Sequence, residues 1–184
     1  MATDLFLEQG YDGTCLDQLI KHCGGSKLTI YNYFGDKKGL LKAVVVELTD
    51  SLIEGLKFKL IDSDAIDSQL MNFSTCYIKY IYTPELLQLS RLVMTQSKTD
   101  PELVDFFLER GACHSQAVLH AYFKQQIQLG RLNLDDPFLA CDQFLGALKG
   151  NRYFEALFAN RIPSEEEMLR YAKHAVDTFL LSSK

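Results

Sequence analysis

Two adjacent glycines, Gly24-Gly25, separate two short stretches that each carry helical periodicity, and no other feature restricts the fold as much. Upstream, Leu16, Leu19 and Ile20 form one apolar stripe from Thr14 to Cys23, and Thr14 is the expected N-cap. Glycine readily takes the left-handed conformation that ends a helix, so the pair is expected to stop the first helix, and Ser26 to cap the next. Downstream runs Ser26-Lys27-Leu28-Thr29-Ile30-Tyr31-Asn32-Tyr33-Phe34. With about 100° between successive residues, Ile30 and Phe34 share one face and are expected to meet a small core. Leu28 and Asn32 point the opposite way, flanked by Thr29 and Tyr31. A helix, a tight glycine turn and a second helix make a helix-turn-helix arrangement.

The outward face of the second helix lacks the charges of an ordinary solvated surface. Its leucine, threonine, amide and tyrosines suit base edges, thymine methyls and phosphates. The net charge of −5 opposes nucleic-acid binding only on average. Between Lys21 and Lys42 five lysines (21, 27, 37, 38 and 42) face one acid, Asp36. Local positive charge on an acidic body is compatible with site-specific contact, because only the touching face must neutralise phosphates.

Gly10-Tyr11-Asp12-Gly13-Thr14, then Gly24 to Phe34, then Lys37-Lys38-Gly39-Leu40-Leu41 resemble the DNA-binding domain of TetR-family transcriptional regulators. Two positions depart: the family often has valine where Gly25 stands and glycine where Leu28 stands. The resemblance implies a helix-turn-helix domain over residues 1–45, with Lys27, Thr29, Tyr31, Tyr33 and Lys37 at DNA-contacting positions and Lys37 on phosphate. Leu28 and Asn32 are the candidate base readers. In the family the first helix begins about ten residues earlier, so the helix ending at Gly10 is expected to be cut short here; a naturally short helix is the alternative.

Beyond it, Asp36 is the expected cap of a fourth helix from Lys37 to about Lys59, with Leu40, Leu41, Val44, Val45, Leu48, Leu52 and Leu56 at helical spacing. Further helices are expected near 65–82, 84–98, 101–129, 137–160 and 164–182. Thr83-Pro84, Asp100-Pro101 and Asp136-Pro137 place a capping residue before a proline, and Ser164 to Glu167 reads as a capping box. Gly130 should end the 101–129 helix, Gly111 kink it, and Gly146 and Gly150 allow close packing in the next. No segment alternates at period two, so the fold class is all-α with about nine helices. The 47% apolar content suits a globular chain, and no run approaches the roughly 20 apolar residues that span a bilayer. With no basic leader segment, a cytoplasmic protein without membrane contact is expected. The five scattered cysteines read as reduced, mostly buried thiols, with Cys15 at a helix start where a thiol can become reactive.

Ser90-Arg91-Leu92-Val93, Pro101-Glu102-Leu103, Asp136-Pro137 and Gln143-Phe144-Leu145-Gly146 resemble, more weakly, the AefR-like C-terminal domain of the same family. The resemblance implies an effector-binding and dimerisation domain over 46–184. Its cavity would hold a small apolar or amphipathic effector, with Phe73, Tyr77, Tyr80, Phe106 and Phe107 as candidate lining. It also implies a homodimer built from the last two helices, with Phe138, Leu145, Leu148, Leu169, Ala172, Val176, Phe179 and Leu180 as interface candidates, and a double-stranded operator as partner. No nucleophile–base set, phosphate loop or metal-ligand spacing occurs, so neither catalysis nor a cofactor or metal is expected. The expected function is a ligand-responsive transcriptional regulator, most readily a repressor on a palindromic operator. The rival is a helical ligand-binding or catalytic dimer with a vestigial DNA-binding domain.

Overall fold

A computed structural model describes residues 2–23, 27–57 and 65–183. It is all-α, with no strand among the described residues. Helix α1 (Ala2–Gly13) breaks at Gly10, whose φ of 71° is open to glycine at little cost. Thr14 does not cap α2 (Leu16–Cys23). Its buried hydroxyl donates to the Gly10 carbonyl at 2.7 Å and the Leu5 carbonyl at 3.2 Å, closing the end of α1 instead. Cys15 takes the N-cap place, and its N–H donates to Gln18 Oε1 at 3.4 Å. The expected Gly24-Gly25 turn and Ser26 cap lie outside the described residues.

Helix α3 spans Lys27–Phe34 and α4 Lys37–Lys57. Asp36 caps α4 as expected, accepting from the Gly39 N–H at 2.7 Å. A Cβ on Gly39 would stand 1.8 Å from the Phe34 carbonyl oxygen, so this glycine permits the tight α3–α4 corner. Buried Leu40, Leu41, Val44, Val45 and Leu56 give α4 its core stripe, while Leu19 and Phe6 bring in α2 and α1. Helix α1 also packs on α6 (Pro84–Thr95), so the N-terminal helices rest directly on the rest of the molecule.

The later helices start where the sequence places them. Helix α5 is Ile66–Ile81, followed by α6, whose Thr83 cap accepts from the Leu86 N–H at 3.4 Å. Helix α7 runs over residues 101–128 as Pro101–Leu108, a π-helical turn at Glu109–Cys113, and His114–Gln128. The break expected at Gly111 is thus this wide turn. Helix α8 (Pro137–Ala159) is capped by Asp136 and ends at Asn160, which has a left-handed φ of 53°. Helix α9 (Glu165–Ser182) opens on the Ser164/Glu167 capping box. At Gly150, with φ 52° and ψ −166°, α8 kinks, and a Cβ there would meet Tyr171 of α9 at 3.3 Å. Gly146 differs from expectation: a Cβ on it would meet nothing within 4 Å. Helix α9 packs chiefly on α5, and α8 on the second half of α7. Arg91 of α6 ties the end of α8 down, donating to the carbonyls of Leu157 at 2.6 Å and Ala156 at 2.7 Å.

Candidate nucleic-acid interface and effector cavity

Helix α3 buries no residue fully. Ile30 is half-buried against the core, as its wheel position requires, but Phe34 is 40% exposed. The reason is position: Phe34 is the last residue of α3, where the chain turns through Gly35 (φ 78°), so it lies against Tyr33 instead. Lys27, Leu28, Thr29, Tyr31, Asn32 and Tyr33 are all exposed, with Leu28 at 68% and Tyr33 at 80%. An eight-residue helix with two such apolar groups in solvent is poorly explained by its own protomer.

The lysines divide by direction. Lys27 pairs with Asp17 of α2 at 2.7 Å. Lys38 turns to the C-terminal helices and bonds to Asp100 at 2.8 Å and Glu102 at 3.0 Å. Lys42 lies 5.6 Å from the Phe106 ring. Lys37 has no acid partner among the described residues; its ammonium sits 4.4 Å over the Tyr11 ring, half-buried at the start of α4. Tyr11 was not among the candidate site residues, and an aromatic four residues before a predicted helix carries no signal of a cation above it. The charge available beside α3 is therefore smaller than the lysine count suggests.

Of the aromatic candidates, the structure brings Tyr77, Tyr80 and Phe107 to one cavity of about 100 Å³ between α4, α5, α6, α7 and α8. Phe73 is fully buried behind it, stacked on Tyr77 with centroids 6.1 Å apart. Phe106 is turned away toward Lys42 and Arg110. The π-helical turn supplies Gly111 and Ala112 to the wall, and α8 supplies Lys149 and Tyr153. Lys149 escaped the sequence reading because one lysine in an amphipathic helix looks like a solvated residue. Arg110, on the same turn, donates from Nε to Thr49 Oγ1 at 2.9 Å and pairs with Asp50, joining the cavity wall to α4.

Among the interface candidates, Leu145, Leu148, Ala172 and Val176 are buried within their own protomer. Their stripe packs on α5 and α7 of the same protomer. Phe179 and Leu180 are half-buried, Phe179 stacking on Phe123 at 4.7 Å. Phe138 and Leu169 remain exposed. The outer surface of α8 and α9 shows other apolar groups: Leu139, Phe154 and Phe158 are exposed, the last two stacked at 6.1 Å. An open groove of about 310 Å³ runs between the two helices past Gln143, Ala147, His174 and Thr178. The cysteines also differ from expectation: Cys141 is buried, but Cys15 and Cys113 are exposed and Cys76 is intermediate.

Residues 1–44 match the family model "Bacterial regulatory proteins, tetR family", and residues 68–182 match "AefR-like transcriptional repressor, C-terminal domain". The chain belongs to the TetR family. An uncharacterised HTH-type transcriptional regulator of Bacillus subtilis (strain 168), YezE, is 23% identical over 138 residues, covering 73% of this chain and 71% of its own. A putative TetR-family transcriptional regulator from Mesorhizobium loti superposes with a TM-score of 0.89 at 27% identity, covering 99% of this chain and 92% of that one. The flavonoid-responsive regulator FrrA superposes with a TM-score of 0.85 at 26% identity, over 100% and 93% of the two chains. This TetR-family chain is therefore a DNA-binding transcriptional regulator in fold and domain make-up. Among its described residues no helix is long and apolar enough to cross a membrane, and no three potential ligands cluster as for a metal ion.

Proposed function

We propose that this TetR-family protein is a homodimeric repressor released from a palindromic operator by a small aromatic effector. The observation that carries the reading is the outward face of α3: a leucine, a threonine, an amide and two tyrosines exposed together on one short helix. Lys27, Thr29, Tyr31 and Tyr33 contact the major groove or its phosphates, Lys37 binds a phosphate, and Leu28 and Asn32 read bases. The exposed apolar residues of α8 and α9, chiefly Phe154, Phe158 and Leu169, support dimerisation through that surface, with Phe138 at its edge. Two copies related by a two-fold axis present two recognition helices, so half-sites lie about one helical turn, ~34–36 Å, or somewhat more apart.

The cavity lined by Tyr77, Tyr80 and Phe107 supports effector control, and the likeness to FrrA, a flavonoid-responsive regulator, supports an aromatic ligand. The effect is a population shift. A ligand that binds better to the dimer with mis-spaced recognition helices draws the protein off DNA. The test is a salt titration of binding to the DNA flanking the protein's own gene. Site-specific affinity that falls steeply with salt is expected. Binding that is absent, or indifferent to sequence, would remove the regulator reading.

A further inference from the structure

The polar groups around the cavity are unevenly satisfied. Ser90 and Ser115 spend their hydroxyls on their own helices, donating to the Leu86 carbonyl at 2.7 Å and the Gly111 carbonyl at 2.8 Å. Thr49 donates to the Val45 carbonyl at 2.7 Å, and Tyr80 donates to the Leu48 carbonyl. Three donors remain. The hydroxyls of Tyr77 and Tyr153 and the ammonium of Lys149 have no protein acceptor among the described residues. Lys149 and Tyr153 stand on either side of the Gly150 break in α8, and the ammonium lies 5.7 Å from the Tyr153 centroid. No carboxylate lines the cavity.

The backbone holds this arrangement. Lys149 immediately precedes the Gly150 break, and its carbonyl accepts a hydrogen bond at 3.0 Å from Tyr82, the residue that follows α5. Burial lowers the pKa of the Lys149 ammonium, with the negative charge of Asp142 opposing the shift. A half-buried cation without a paired anion is costly, and a ligand that brings the anion recovers part of that cost. Aromatic rings from Tyr77, Tyr80, Phe107 and Tyr153 form the remaining wall, and about 100 Å³ is room for roughly one ring.

We infer that the cavity takes a small aromatic ligand bearing an anionic oxygen, a carboxylate or an ionised phenol, held by the Lys149 ammonium and the hydroxyls of Tyr77 and Tyr153. The inference rests on reading this cavity as the effector site, but its anchor is tested apart from any effect on DNA. Benzoate, 4-nitrophenolate and the neutral benzamide are titrated calorimetrically into the full-length wild type, Lys149→Met, Lys149→Arg and Tyr77→Phe, each first checked for folding by circular dichroism. Wild type should favour both anions over benzamide. Lys149→Met should lose at least about tenfold in affinity for the anions, as expected for one charge-assisted hydrogen bond, and keep its benzamide affinity. Lys149→Arg should retain the anion preference.

Equal binding of benzoate and benzamide, an unaffected Lys149→Met, or no binding of any probe at millimolar concentration overturns the inference. An operator-binding assay with the same probes separates the two readings. Anions that bind through Lys149 but leave operator affinity unchanged would uphold the anchor and remove the effector role. Probes that release DNA equally from wild type and Lys149→Met would uphold the effector role and remove the anchor.

Discussion

Lys37 is held over Tyr11 by ring contact rather than by an acid, so its charge remains available to a phosphate. Lys37→Ala should weaken binding to all DNA sequences about equally and lower the salt slope by roughly one unit, as expected for one lost phosphate contact. A loss confined to one base position, seen in a randomised-operator selection, would contradict this assignment. The proposed specificity counterpart is Leu28. Its 68% exposure is unfavourable in water and suits a thymine methyl, while Asn32, one turn on, suits the N6 and N7 of adenine. Leu28→Gly and Leu28→Ala should both relax the preference at the thymine, a contact on the order of 1 kcal/mol, while phosphate-driven affinity persists. The alanine variant matters because glycine itself costs about 1 kcal/mol in a helix. Unchanged base preference in both would mean that Leu28 is not a base reader.

At the level of the helices, caps and breaks carry much of the specification. Asp100 is N-cap to α7, accepting from the Leu103 N–H at 3.2 Å, and also partner to Lys38. Burial alone would raise its pKa, but the hydrogen bonds from Lys38 and the Leu103 N–H outweigh this, so its carboxyl is held below the usual carboxylate value. A folded pKa below the unfolded one contributes stability above the unfolded value, and that stability is lost as pH falls through the folded one. Asp100→Ala should therefore cost about 1 kcal/mol at neutral pH. Urea titrations should show the variant and wild type converging as pH drops below about 4, the ordinary value of an aspartate carboxyl. At Gly150 the break lies in a backbone region that is essentially glycine's alone. Gly150→Ala should cost about 1–3 kcal/mol in chemical denaturation, with Tyr171 crowding the new methyl. An unchanged midpoint would show that α8 can straighten there.

For the whole molecule, the two faces of α8 and α9 should respond differently to a charge. Phe158 is 70% exposed, so Phe158→Asp should leave protomer stability within about 0.5 kcal/mol while sedimentation shifts from dimer to monomer. Val176, at 3% exposed, is in the core beneath α5; Val176→Asp should instead destabilise the fold by about 4 kcal/mol or more, whatever the oligomeric state. A dimer unaltered by Phe158→Asp would place the interface elsewhere.

Local rules made the helices legible from residue order alone. Each capping residue before Pro84, Pro101 and Pro137, and the box at Ser164, constrains only its own first turn, so the observed starts follow the expected ones. The face of α3 was legible for the same reason, since eight residues of known period fix which side chains share a side. What a single helix cannot encode is which of its neighbours claims a shared stripe. The apolar positions of α8 and α9 suit a protomer core and a dimer surface equally well. Only the packing of α9 on α5 and of α8 on α7 assigned Leu148, Ala172 and Val176 to the first and left Phe154 and Phe158 outside. The same holds for Thr14, whose hydroxyl had acceptors within reach once Gly10 broke α1, and for Lys149, whose burial depends on residues brought together from α4 through α8. Contacts between residues distant in the chain carry no periodic signature, so these assignments required the folded molecule.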